Sequence, residues 1–102
     1  MARLSTSPAA DADLAEIDAY LAAHAGNDIA DQYSEQFKKV FHLLAAQPEI
    51  GAPRANLGRS IRINIVAPYN VYSKYDPATD TVRVLRVLHG RRKITRRMMR
   101  PN

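Results

Sequence analysis

The sequence predicts an α+β fold in the order β-α-α-β-β-β, a small twisted antiparallel sheet with an N-terminal helical hairpin packed on one face. Three observations carry this. Two stretches between Ser7 and Pro48 repeat apolar side chains at helical spacing, with only His24-Ala25-Gly26-Asn27 between them. Three later stretches are β-branched, aromatic or alternating, and are bounded by Pro, Asp and Gly turns. The connections are short, which makes the helices an antiparallel hairpin and the strands a meander.

Arg3 to Thr6 is a short run that fits an edge strand. Ser7-Pro8 reads as an N-cap followed by proline at the first helical position, where its missing N–H is not needed. Asp11 and Asp13 lie in the first turns and favour the helix dipole. Leu14, Ile17 and Leu21 form the buried stripe among alanines. Gly26 is expected to cap this helix in the left-handed conformation, and Asn27 or Asp28 to cap the next. Ile29, Tyr33, Phe37, Val40, Phe41 and Leu44 give the second helix its apolar face, read as core rather than as a cofactor site, and Pro48 ends it.

Residues 51–59, GAPRANLGR, have loop composition. Ile61, Ile63 and Ile65 then alternate with Arg62, Asn64 and Val66, as in a half-buried strand with one polar face. Ala67-Pro68 turns the chain into Tyr69–Tyr75, and the turn from Asp76 to Asp80 leads into Thr81–Leu88. The helical stripe is expected to pack on the face that carries the strand isoleucines and valines.

A chain of 102 residues with 46% hydrophobic side chains forms one globular domain with a genuine core. The absence of cysteine excludes a disulfide framework, Cys-based zinc sites and thiol chemistry. The opening MARLSTSPAADADL is acidic and has no apolar run, so it is not read as a signal peptide, and no stretch is long enough to span a bilayer. The expected location is cytoplasmic. His24, His42 and His89 fall on different elements without ligand spacing, and there is no phosphate-binding glycine loop, so no metal or cofactor is expected.

The charge is unevenly placed. Residues 1–50 hold three basic and eight acidic residues, a net of −5, whereas residues 51–102 hold twelve basic residues against Asp76 and Asp80, a net of +10. The +5 of the whole chain conceals this asymmetry, which favours nucleic acid or an acidic protein surface as partner. Much of it comes after TVRVLRVLHG. Residues 1–90 form the domain, and residues 91–102 form a basic tail with six cations and no acid. A buried strand that gives this tail a rigid start can hold positive charge at a fixed place, which suits a macromolecular target. The bland alternative is a solvated face that only aids solubility. The candidate target-binding residues are Arg83, Arg86, His89, Arg91, Arg92, Lys93, Arg96 and Arg97. Arg86 lies inside an aliphatic strand, so it is either part of that surface or paired with a helix carboxylate, Asp18 or Glu16.

The opening LSTSPAADADLAEIDAYL, the helix end LLAAQPEIGAPRANLG and above all VRVLRVLHGRR resemble the RelE/ParE superfamily of bacterial toxins from type II toxin–antitoxin operons. The resemblance runs from Arg3 to Lys93, and P-E-I-G-x-P-R followed by V-L-R-V-L-H-G-R-R is similar to the ParE-like branch. It implies a cognate antitoxin as partner in a hetero-oligomer. It also implies one of two targets, since ParE-like members inhibit DNA gyrase and RelE-like members cleave mRNA on the ribosome.

Transesterification of RNA needs a base for the 2′-hydroxyl, cations for the phosphorane and an acid for the leaving oxygen. The RelE-like branch meets this with two alternating lysines, an arginine on the next strand, an arginine after the last strand and a tyrosine six residues on. At the matching positions this chain has Arg62, Asn64, Asn70, Arg92 and Met98. Most of the chemistry is missing, so the expectation is a non-enzymatic, gyrase-directed toxin with no catalytic residue. The alternative is an mRNA endoribonuclease with a degenerate site of Arg62, Arg92 and His89; a toxin fold that only binds antitoxin is a third possibility.

Overall fold

The computed structural model describes residues 1–100; Pro101 and Asn102, the end of the basic tail, lie outside the described residues. The chain forms β1 (Arg3–Thr6), α1 (Pro8–Ala25), α2 (Asn27–Ala46), β2 (Ala52–Pro53), β3 (Ile61–Val66), β4 (Tyr69–Asp76) and β5 (Thr81–His89). Single 3₁₀ turns occupy Ala55–Leu57 and Arg96–Met99. The α+β class and the helical hairpin followed by strands are as expected. Two details differ: the loop at 51–59 contains β2, and the sheet is mixed.

The strand order is β1-β5-β4-β3-β2. The meander β3-β4-β5 is antiparallel, as short turns require. β1 instead reaches the edge beside β5 through the helical hairpin, a long connection that permits parallel pairing, from Arg3 opposite Thr81 to Thr6 opposite Val84.

Ser7 starts α1 as its type suggests, its Oγ accepting the Ala10 N–H at 2.9 Å. The junction between the helices corrects the sequence reading. Gly26 has φ 94° and ψ 161°, positive but outside the left-handed helical well, and serves as C-cap of α1 and N-cap of α2. Neither Asn27 nor Asp28 is the cap; Asn27 is already in α2, and no side chain caps that helix.

The apolar stripe packs as expected: Leu21, Phe37 and Leu44 are buried in the main core, with Leu14, Ile17, Tyr33 and Phe41 against them. Their sheet partners are valines and a tyrosine, Val66, Val71, Val82, Val84, Val87 and Tyr69. The isoleucines do not join them. Ile61 and Ile63 are buried in a second cluster with Leu57, Tyr72, Leu85, Leu88 and Met99, on the face opposite the helices, and Ile65 is 69% exposed. Part of the far face is therefore covered as well, which explains the nearly continuous aliphatic run of β5.

The run Val84-Leu85-Arg86-Val87 contains a β-bulge. Tyr72 stands opposite Arg86 while Ser73 stands opposite Val84, so Leu85 is the extra residue. The bulge returns Val87 to the helix side and leaves Leu85 and Leu88 on the other. α1 satisfies the backbone groups it frees: Ser7 Oγ donates to the Leu85 carbonyl at 2.7 Å, and Asp13 accepts the Val87 N–H at 3.0 Å.

Candidate functional site

The structure distributes the expected target-binding residues over three places. Arg86 is in none of the open ones. Its Nε and a terminal nitrogen donate to Asp13 at 2.7 and 2.8 Å, and the pair is largely buried. The bond to Asp13 raises the guanidinium pKa, against the opposing effect of burial. Arg86 is thus paired with a helix carboxylate, and its partner is Asp13 rather than Asp18 or Glu16. Asp13 is the acid that the first turns of α1 aim at the bulge; Asp18 lies on the side of α1 that faces α2, and Glu16 is exposed.

His89 and Arg92 share a groove of about 490 Å³ at the C-terminal end of β5, together with Glu16 and Tyr20 of α1, Tyr33 of α2 and Tyr69 of β4. Tyr69 meets Tyr33 and His89 edge-on, with centroids 5.7 and 5.8 Å apart. Burial, followed by the neighbouring Tyr33 and Tyr20, raises the Tyr69 pKa. The groove continues between α1 and α2 as an apolar cavity of about 210 Å³ lined by Leu14, Ile17, Phe37 and Phe41, with Asp18 and Lys38 also lining it. After β5 the chain makes a tight turn: Gly90 N–H donates to the Pro68 carbonyl at 2.7 Å, and Arg92 N–H to the His89 carbonyl at 3.0 Å. The Arg91 N–H donates to His89 Nδ1 at 3.1 Å. Arg91, Lys93 and Arg97 project into solvent.

Arg83 and Arg96 lie elsewhere, on the sheet face opposite the helices, in an open basin of about 1140 Å³. Four further cations line it: Arg3, Arg59 and Lys74, which sequence reading missed, and Arg100, which it counted only as part of the basic tail. Strand register would have found one of them, because Lys74 stands directly opposite Arg83. The others come together through chain folding that no local pattern reveals. The tail that carries Arg96 is also no free appendage. Its 3₁₀ turn buries Met99 to 5% exposure in the second core cluster, with Ile94 and Met98 packed beside it.

The positions that the resemblance assigns to RNA chemistry have structural work of their own. Arg62 donates to the Gly51 carbonyl at 3.0 Å and Asn64 to the Ile50 carbonyl at 3.2 Å, together fastening the chain between α2 and β2 to β3. Gly51 must be glycine there: at φ 107° a Cβ would stand 2.5 Å from the Ile63 carbonyl oxygen and 2.8 Å from Asn64 Nδ2. Arg62 lines a separate small cavity with Ser73 and Tyr75, away from His89 and Arg92. Asn70 lies near the Tyr72 hydroxyl at 3.5 Å.

The profile of the ParE toxin of type II toxin–antitoxin systems, parDE, matches residues 4–94. The chain belongs to this ParE toxin family. Among solved structures, the chromosomal ParDE toxin–antitoxin system from P. aeruginosa is similar, with a TM-score of 0.72 and 19% identity over 87% of this chain and 96% of that one. The toxin–antitoxin complex RelBE2 from Mycobacterium tuberculosis is also similar, at a TM-score of 0.61 and 21% identity over 86% and 96% of the two chains. Both likenesses concern the fold. Among curated proteins none matches significantly. Within the described residues no helix of this ParE-family chain is long and apolar enough to cross a membrane.

Proposed function

We propose that this ParE-family toxin inactivates DNA gyrase without covalent chemistry and is held in check by a cognate antitoxin. One observation carries the first half. Where RNA cleavage would need a base, cations and an acid, the chain has Asn64, Asn70 and Met98, and both Arg62 and Asn64 are committed to holding the 50–51 loop. The cationic side chains remain free to meet a target: Arg91 and Lys93 are exposed, and Arg92 opens into the groove.

The antitoxin reading rests on the groove. Apolar residues from both helices form a continuous furrow from Phe41 to Tyr69, and an amphipathic helix lays one face into such a furrow. Acidic side chains on the same partner would reach Arg92 and mask it. Purified toxin and the product of the neighbouring gene co-elute at low salt on this account; separate elution contradicts it.

His89 and Arg92 in one groove favour a second reading, a ribosome-dependent mRNA endoribonuclease. The third member of that site, Arg62, lies in a different cavity, and the His89 Nδ1 is already an acceptor for backbone. Induced expression in bacteria separates the readings. Gyrase poisoning gives filamentous cells with a DNA-damage response, and His89→Ala leaves growth inhibition in place. Immediate translation arrest with cut mRNA, lost in His89→Ala, would establish the nuclease instead.

A further inference from the structure

The basin on the far face of the sheet is a second cationic surface, remote from the His89 groove. Arg3, Arg59, Lys74, Arg83, Arg96 and Arg100 converge on it from β1, the loop before β3, β4, β5 and the tail. Among the described residues the one acid that lines it is Asp76, whose carboxylate accepts the Ala78 N–H at 3.0 Å and the Thr79 hydroxyl at 3.1 Å.

The arrangement works against stability. Strand register places Ser5, Arg83, Lys74 and Ile61 in one cross-strand row, so two cations face each other with no acid in the row. Like charges directly opposite destabilise a sheet. Arg83 is also poorly satisfied: one terminal nitrogen donates to Ser5 Oγ at 3.3 Å, while its Nε is buried without an acceptor among the described residues. Such unfavourable choices are expected where a surface serves a ligand.

We propose that this basin binds the phosphodiester backbone of a nucleic acid. Cations and hydroxyls are what phosphates require, and Ser5, Ser60 and Thr81 supply hydroxyls among the cations. Five of the six cations are arginines, whose forked donors match phosphate oxygens. An acidic peptide needs partners for its own backbone as well. The central strands under the basin, β5 and β4, already spend their backbone groups in ladders with each other and with β1 and β3. The nearly buried Leu57, Ile61 and Met99 close the basin from beneath. The inference does not depend on gyrase as target, and its test contains no gyrase.

The test is fluorescence anisotropy of labelled single-stranded and duplex DNA oligonucleotides with the full chain, titrated across salt concentrations. Binding weakens linearly in log–log form as salt rises. The double variant Arg59→Gln with Lys74→Gln, both exposed positions, weakens binding by roughly tenfold and lowers the salt slope by about 2, one for each phosphate no longer neutralised. Arg96→Glu, also at an exposed position, weakens it independently and so covers a failure of the double variant to fold. A charge-matched pair outside the basin, Lys39→Gln with Arg54→Gln, leaves the slope unchanged. The two DNA arms tell which form of backbone is preferred. Absence of binding at low salt, equal losses in both pairs, or displacement of DNA by an equal concentration of polyglutamate of the same length overturns the proposal; the last outcome assigns the basin to an acidic protein.

Discussion

Asp13 and Arg86 form a bidentate pair across the helix–sheet interface, and the Asp13 oxygen that meets Arg86 Nε also accepts the Val87 backbone N–H. One carboxylate therefore neutralises a buried cation and completes a bulged strand. Removing it leaves three donors without partners, two on Arg86 and the Val87 N–H, which typically costs about 3–5 kcal/mol. Asp13→Ala is expected to lose that much in urea denaturation. Replacing both residues by leucine costs less than either single change to alanine, because no charge is then left unpaired. Equal losses for the single and double variants would contradict the pairing.

Ser7 has two duties in a fully buried position: its oxygen accepts the Ala10 N–H, and its hydroxyl donates to the Leu85 carbonyl. Ser7→Ala removes a helix cap and a buried hydrogen bond together, for a loss of about 2 kcal/mol. The same denaturation experiment measures it. A loss within error of zero would mean that the bulge is satisfied in some other way.

Met99 alters how tail truncations must be interpreted. A basic tail reads as dispensable for folding, but Met99 is buried against the Leu57, Ile61 and Tyr72 cluster. Met99→Ala is expected to cost about 2–4 kcal/mol. Deletion after Gly90 should therefore lower the melting temperature as well as remove charge. A full melting temperature in the truncated chain would refute this, and only then would lost toxicity report the cations alone.

Periodicity made the helical hairpin, the meander and the core stripe legible, because each depends on residues close in sequence. What escaped depends on register and on distant partners. Regular alternation would have placed Val87 on the wrong face, since nothing local announces the extra residue Leu85. Asp13 looked like a dipole acid because its partners lie on β5, far along the chain. The resemblance of VLRVLHGRR pointed correctly to the family. The charge pattern, in turn, gathered Arg83, Arg86 and Arg92 into one surface, which alternation and the bulge separate. Arg3 and Arg59 carried no signal, since nothing in the sequence brings residues 3 and 59 together.

Two tyrosines give the fold a signature at high pH. The hydrogen bond from Tyr75 to Asp80, first among its causes, and the burial of Tyr69 raise both pKa values above the ordinary value of about 10. The folded state keeps these protons longer than the unfolded chain. Their contribution to stability is complete below pH 10 and fades as pH rises through the raised values. Ultraviolet titration of the folded protein should show late-ionising tyrosines that disappear one at a time in Tyr75→Phe and Tyr69→Phe. Asp80→Asn should return Tyr75 towards its ordinary range. An upper limb unchanged by all three variants would contradict the assignment.

We propose that this toxin acts by occupying gyrase and not by cutting RNA. Supercoiling of relaxed plasmid by purified gyrase, with increasing amounts of purified toxin, tests it most directly. Supercoiling is expected to be inhibited, or cleaved plasmid to accumulate, with the antitoxin reversing the effect and His89→Ala retaining it. Undisturbed supercoiling at toxin concentrations that cut mRNA on programmed ribosomes would contradict it.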